Sequence, residues 1–413
     1  MRYLKSVDFP IHLMAYWWLL WIGISCTSLN QFLTPSFETL AQYLLLIGSF
    51  LLGHLFMKRL RPYKAQMSSI GTRGLRLGAT RVRWVLGLAA FGTLFMLLLS
   101  LYMAGAFEVS FVEYFARLRL LVGDDVPEAT GSHLLDVLTK ILAFPLAYTV
   151  LVTALAVDLS GLRKVFFACL ASFLCYSYLW QINYAVIHLF WLMVFYALIA
   201  VQRQGRVNRR MLIVAAILCV GLVASAANRF GGDVMGGLQR YIIGYHLLGF
   251  SFYDQQYLDP ESILHVPSFG RSSLGFLEQV LENFLKPFSV EFQAASFANS
   301  EFTDTAIDIG ANDTMQFNAF GTILFTLYRD LNVVGIFVGG ALYGAAVTNA
   351  RYRSHLSWRH GALFFMLASA WMMGMMVSPI EAAYFWFVVV ALCLLQIANR
   401  GVRWRTAQPV PAS

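Results

Sequence analysis

Long apolar runs constrain this chain more than any other feature. Ten of them are read, at 9–28, 38–57, 84–105, 138–159, 165–181, 185–201, 211–227, 331–350, 361–378 and 384–399. Each has about 17–25 residues, the helix length that crosses ~30 Å of hydrocarbon. Charged residues are only 13% of the chain and hydrophobic residues 59%. A soluble globular chain carries about 25% charged residues, so little sequence is left for a soluble domain. The expected fold class is all-α: a polytopic integral membrane protein of about ten transmembrane helices, forming a single transmembrane domain over residues 1–413. The first apolar run is long and tryptophan-rich and lacks a small-residue cleavage site, so it reads as a span and not as a cleavable signal.

The orientation follows from the basic residues. The stretch 58–83 holds Lys58, Arg59, Arg61, Lys64, Arg73, Arg76, Arg81 and Arg83 and no acid. Further basic clusters fall at 163–164, 203–210, 351–359 and 400–405, and Arg2 and Lys5 precede the first span. Together these put 22 of the 30 basic residues on one side, while 20 of the 22 acids fall on the other. The positive-inside rule makes the basic side cytoplasmic, with both termini inside. Two outside segments are long, 106–137 and 228–330. Loops beyond ~15 residues without structure of their own usually carry function. Within the larger one, Leu274, Leu277, Val280, Leu281, Phe284 and Leu285 recur at helical spacing, a face suited to the bilayer surface or to capping the spans.

The five cysteines lie inside apolar runs without ligand spacing, against both a disulfide framework and a zinc site. A proton- or ion-coupled carrier places ionisable groups near the midplane; here the polar interest lies outside. Eight basic residues stand there against the topology preference: Arg117, Arg119, Lys140, Arg229, Arg240, Arg271, Lys286 and Arg329. They either pair with the abundant external acids or hold an anionic ligand, because a guanidinium binds phosphate through two parallel hydrogen bonds. His246, flanked by Gly244 and Tyr245, is either a satisfied polar residue or a base. Gly335, Gly339 and Gly344 form a small-residue stripe whose first reading is close helix packing, with a lipid groove as the alternative.

Two segments resemble a known family. Leu238-Gln239-Arg240-Tyr241-Ile242-Ile243-Gly244-Tyr245, continuing to Phe250 and Tyr253-Asp254, resembles the segment after the middle span of bacterial oligosaccharide repeat-unit polymerases, the O-antigen polymerase (Wzy) family. Asn318-Ala319-Phe320-Gly321-Thr322 with Leu327-Tyr328-Arg329-Asp330 and Gly335 is similar to that family's second pattern. Leu331 and Asn332 replace its usual aromatic residue and glycine, and Asn tolerates a left-handed backbone.

The resemblance implies a GT-C-like integral-membrane glycosyltransferase in the bacterial inner membrane. It would use undecaprenyl-pyrophosphate-linked oligosaccharide as both donor and acceptor at the periplasmic face, building a surface polysaccharide such as the O-antigen of lipopolysaccharide. No metal, cofactor or nucleotide sugar is expected. The lipid bilayer and a chain-length regulator are the further partners it allows; nucleic acid is not one. In that chemistry Arg117, Arg119, Arg229, Arg240 and Arg329 would hold the pyrophosphate. His246, Asp233 or Asp330 would orient or deprotonate the acceptor hydroxyl, and Tyr241, Tyr245 and Tyr328 would belong to the motif or stack on sugar. The rival expectations are an O-antigen ligase that transfers glycan to lipid A core, and a transporter of a lipid-linked saccharide.

The charge pattern gives a direct test. Reporter fusions or cysteine labelling should place 58–83 and 202–210 in the cytoplasm and 228–330 outside. A cytoplasmic 228–330 would remove the acidic half of the chain from the face where the chemistry is expected.

Overall fold

The computed structural model describes residues 6–27, 31–60, 145–157, 167–171, 184–204, 243–285, 288–295, 307–311, 321–354 and 357–393, with isolated positions elsewhere. The described part is helical apart from one two-residue hairpin. Its elements are α1 (Phe9–Ser25), α2 (Phe37–Leu60), α3 (Ala147–Val157), α4 (Tyr184–Gln204), α5 (Tyr245–Leu258) and α6 (Arg271–Leu285). Strands β1 (Ile307–Asp308) and β2 (Gln316–Phe317) pair antiparallel, followed by α7 (Ile323–Arg353), α8 (Trp358–Met373) and α9 (Ala383–Cys393). Two helices, α2 and α7, are long and apolar enough to cross a bilayer; α1 and α9 and the apolar stretches of α3 and α4 are shorter. The runs read at 84–105, 165–181 and 211–227 lie mostly outside the described residues, as does the whole 106–137 segment.

Four helix ends meet on one face. The Asp8 carboxylate accepts from Lys58 Nζ at 2.6 Å and from the Tyr352 hydroxyl at 2.6 Å. Gln202 Nε2 donates to the Ser6 carbonyl at 2.6 Å, and the Arg351 guanidinium donates to Gln202 Oε1. The start of α1 and the ends of α2, α4 and α7 are therefore neighbours, and the basic residues at those ends are grouped together. At the opposite face the α1–α2 connection is stitched to the hairpin region, with Leu33 N donating to the Ile309 carbonyl at 2.9 Å and Ala311 N to the Gln31 carbonyl at 2.7 Å.

The tightest packing in the described bundle is between α2 and α7. A Cβ added at Gly53 would stand 1.9 Å from the Ala341 carbonyl oxygen, and one at Gly344 would stand 1.9 Å from that of Phe50. One at Gly340 would meet Ser49 Oγ at 2.1 Å. Here the small residues bring two backbones together, as the close-packing reading of the stripe expects. Trp371 of α8 seals the same region: its ring stacks on Phe50 at 4.2 Å, and its carbonyl accepts from Trp18 Nε1 at 3.2 Å.

Two segments inside the long 228–330 region do not behave as loop. α5 is buried along most of its length between α1 and α2: the Tyr43 hydroxyl donates to the Gly249 carbonyl at 3.3 Å, and Tyr253 donates to Gln42. The second is the start of α7. The apolar pattern places this span at 331–350, but the helix starts at Ile323 and is broken at Leu331 and Asn332. Residues 323–330 form a buried arm of their own. At its beginning Ile323 N donates to the Gly374 carbonyl at 2.8 Å beside Tyr43; from there it runs to Asp330, away from the basic helix ends. Asn332 takes φ +53° and ψ −141°, a backbone that favours glycine and that asparagine tolerates better than most other side chains. Gly335 lets the arm fold back, since a Cβ there would stand 2.0 Å from the Leu327 carbonyl oxygen.

Gly344→Val should break the α2–α7 contact. Forcing volume into a packed site costs about 1–3 kcal/mol, and a backbone carbonyl cannot rotate away as a side chain does. The expected outcome is a clear drop in the unfolding temperature of the detergent-solubilised protein, larger than that of Gly23→Val, where nothing lies within 4 Å. Equal effects of the two substitutions would contradict the close approach.

Candidate active site

Tyr328, Arg329 and Asp330 end the buried arm of α7, and all three are nearly inaccessible. The asymmetry between the two charged residues defines the site. Asp330 is fully used. Its Oδ1 accepts from Ser268 Oγ at 2.6 Å and Ser272 N at 2.9 Å; its Oδ2 accepts from Ser273 N at 3.2 Å and from Ser273 Oγ. It thus caps the N-terminus of α6, whose unsatisfied amides and dipole favour a carboxylate. The arm and the loop before α6 are also joined by backbone, with Ser268 N donating to the Arg329 carbonyl at 2.8 Å and Phe269 N to that of Asp330 at 3.0 Å.

Arg329 is not used up. Its NH1 donates to the Ala295 carbonyl at 2.9 Å, while its buried Nε has no partner. Arg271, the other described arginine of the set read as external from the charge pattern, takes the pairing alternative. It pairs with Glu278 at 2.7 and 3.2 Å and donates to the Gln293 carbonyl at 2.7 Å. Glu278 and Glu282 in turn accept from the amides of Ala295 and Ala294, both at 2.8 Å, which fixes the strand that carries the Arg329 acceptor.

A carboxylate outside the sequence-read set completes the cluster. Glu381 stands in the turn between α8 and α9. Its Oε1 accepts from Thr326 Oγ1 at 2.5 Å and from Asn299 Nδ2 at 2.9 Å. Thr326 Oγ1 also lies 2.5 Å from Ser378 Oγ. The Glu381 carbonyl accepts from Phe276 N at 3.1 Å where α6 is interrupted at Gly275, and a Cβ at Gly275 would be 2.7 Å from Glu381 Cα. Burial pushes the Glu381 carboxyl up to about 7; the Thr326 bond, the Arg329 charge and the Asn299 bond pull it partly back, and Asp330 pushes it up. Asn299 is itself buried, with Oδ1 unpartnered. Buried polar atoms in native proteins are nearly always satisfied, so two orphans beside a carboxyl that titrates near neutrality mark a candidate site.

The structure brings together Tyr328, Arg329 and Asp330, with Tyr257 and His265 beside the tyrosine ring at 5.7 and 6.3 Å. It does not bring His246 or Tyr245 there. His246 stacks on Trp21 at 4.3 Å and meets Trp17 edge-on at 5.4 Å, at the other end of α5. With a rise of ~1.5 Å per residue, it lies about 16 Å along the helix from Tyr257. Asp233, Arg117, Arg119, Arg229, Arg240 and Tyr241 lie outside the described residues. Glu381 had a signal in the sequence: it is the only charged residue between Gly361 and Asn399, and an ionisable group in such a setting is a functional candidate by default. Asn299, Thr326 and Ser378 carried none. Among the described residues no group of three His, Cys, Asp or Glu is arranged to hold a metal ion. Searches against family models, curated proteins and solved structures gave no match for the chain.

Asp330→Asn should loosen α6. The amide keeps one acceptor but turns an NH2 toward the Ser273 donors, losing charge-assisted bonds worth about 1.5–3 kcal/mol. Hydrogen exchange at the amides of Ser272 and Ser273 should accelerate. Unchanged exchange there would mean that capping is not what Asp330 does.

Proposed function

We propose that this chain is a polytopic membrane glycosyltransferase that joins undecaprenyl-pyrophosphate-linked oligosaccharide units into a surface polysaccharide at the periplasmic face of the inner membrane. The observation that carries the reading is Arg329: a buried guanidinium with one carbonyl partner and a free Nε, on the face away from the basic helix ends. The membrane setting is supported by apolar side chains left exposed on both long helices, among them Leu52, Leu55 and Phe56 on α2 and Val334, Phe337 and Leu342 on α7. The resemblance around 238–254 and 318–335 supplies the substrate class.

The chemistry fits the residues. A lipid pyrophosphate is a good leaving group and needs little acid help. As the bond from the anomeric carbon to the pyrophosphate oxygen breaks, negative charge grows on the pyrophosphate and positive charge on the sugar ring. A guanidinium already fixed in a water-poor site stabilises the first without reorganising. Arg117, Arg119, Arg229 and Arg240 are the further cations that the resemblance offers. A second reading has one observation in its favour. The 323–330 arm is a short helix that starts inside the bundle and is broken from the rest of α7 at Leu331 and Asn332, and discontinuous helices of that kind build the binding sites of secondary transporters. Under that reading the chain moves a lipid-linked saccharide without extending it.

The test is the purified protein in liposomes with lipid-linked repeat units as sole substrate. A ladder of products is expected. Arg329→Ala should lower its formation at least tenfold at normal protein levels, the loss of one charge-assisted bond of about 1.5–3 kcal/mol. Arg329→Lys should restore only part, since lysine cannot make the two-pronged contact. Absence of a ladder from the wild type would overturn the polymerase reading, and uptake of labelled substrate without glycan growth would replace it with transport.

A further inference from the structure

We infer that Glu381 is the group that receives the proton of the acceptor hydroxyl, a role that rests on the proposed polymerase reading and assigns it to a residue outside both resembling segments. The argument is one of placement and of spare capacity. Asp330 has four donors on its two oxygens and holds α6. Glu278 and Glu282 are engaged by Arg271 and by the backbone of 294–295. Asp254 accepts from Ser36 N at 2.9 Å and from Ser36 Oγ at 2.5 Å. His246 is stacked among tryptophans at the far end of α5. Glu381 differs from all of these. Thr326 and Asn299 both address Oε1, and Oε2 accepts no hydrogen bond among the described residues.

Two bonds to one oxygen and a backbone bond from Phe276 fix the direction of the carboxylate. The other oxygen is left for a hydroxyl. Arg329 is near enough for its charge to act on Glu381, so an anion stabiliser and a proton acceptor share one cluster. The step balances. The acceptor O–H bond breaks and its proton passes to Glu381 Oε2. The oxygen's electron pair forms the new bond to the anomeric carbon of the donor. The bond from that carbon to the pyrophosphate oxygen breaks, and its pair leaves with the lipid pyrophosphate beside Arg329. Glu381, now a neutral acid, returns its proton to water.

The environment suits a base that works near neutral pH. The charged groups around Glu381 are Arg329 and Asp330 from α7, with Arg271 and Glu278 of α6 acting beside Arg329; Thr326, Ser378 and Asn299 complete the polar shell. With the carboxyl raised to about 7, the carboxylate form that can accept a proton is the minority below that pH and dominates above it. Rate should therefore rise with pH through about 7 and then level.

The experiment measures polymer growth by the full-length protein in liposomes, with purified lipid-linked repeat units, from about pH 5.5 to about pH 8.5, so that kcat/KM reports the free enzyme's groups. In the wild type an acidic limb with its midpoint near 7 is expected. Glu381→Gln keeps an acceptor for Thr326 and Asn299 but cannot take a proton. It should be at least a hundredfold slower, in line with a general-base contribution of about 10²–10⁴, should lose the acidic limb, and should bind undecaprenyl pyrophosphate as the wild type does. Glu381→Asp, which keeps the proton chemistry on a shorter arm, should recover part of the rate and retain a limb. A Glu381→Gln variant with the wild-type limb would overturn the assignment while leaving the polymerase reading intact. A wild type that makes no ladder would overturn both. If Glu381→Gln fails to accumulate, Glu381→Asp decides: a flat pH profile from it counts against the base.

Discussion

The contact of α2 with α7 is what the rest of the described structure hangs on. Small residues on both helices let their backbones approach closely, and the van der Waals packing that follows holds the pair together. Gly53 and Gly344 let each helix press its backbone against the other, and Gly340 accepts the Ser49 hydroxyl between them. α7 is the helix that this fixes. Gly340 and Gly344 face α2, while Gly335 and Gly339, one turn apart on a neighbouring face, receive Leu327 of the returning arm. Two glycine pairs on neighbouring faces of one helix thus do two jobs: one docks the span and the other docks the arm that carries Arg329. A shift of the first would move the second.

The arm creates a polar problem that the outer segments solve only in part. It carries Thr326, Arg329 and Asp330 into a region where an unpaired hydrogen-bonding group costs about 1–3 kcal/mol, and more if charged. α6 answers for Asp330 by offering its first amides and the Ser273 hydroxyl, and Ser268 just before it adds a second hydroxyl. The turn after α8 answers for Thr326 through Ser378 and Glu381. Arg329 receives one carbonyl. The remaining deficit falls on the residue best able to bind a phosphate, which is why it bears on function and not only on stability.

Much of the architecture was legible because it follows from period and length. The apolar runs correspond to α1, α2, α4, α8 and the described part of α9 to within a few residues, since a long helix packed among others shows as a long uninterrupted apolar stretch. The clustering of the basic helix ends was legible because the basic residues fall between the apolar runs. What escaped was the polar interior. The arm at 323–330 reads as loop because Arg329 and Asp330 interrupt its apolar residues, although every one of its eight residues is buried. α5 was hidden by the reverse effect: Tyr, Gln and Asp give it a loop-like composition, yet these groups find partners on α2 and in the α1–α2 connection. In the sequence Asp330 reads as a group that orients or deprotonates the acceptor hydroxyl; in the fold its carboxylate caps α6, and no spacing rule reports a cap that comes from 57 or more residues away. Glu381 stood in the sequence as a lone charge, and only the fold shows that it lies within reach of the Arg329 charge.

α6 joins an exposed apolar strip to this cluster. On one side Leu274, Leu281 and Phe284 are exposed, a strip at helical spacing that suits a lipid surface. On the other side its backbone binds both carboxyl-bearing residues of the cluster, Asp330 through the amides of Ser272 and Ser273 and the Glu381 turn through Phe276 N. The interruption at Gly275 separates these two attachments, so the first turn is tied to the α7 arm and the remainder to the α8–α9 turn. The arginine and the carboxylate are borne by different elements far apart in sequence, and α6 is the piece of backbone bonded to both. Their relative position is therefore set by α6, through backbone bonds on either side of its interruption at Gly275.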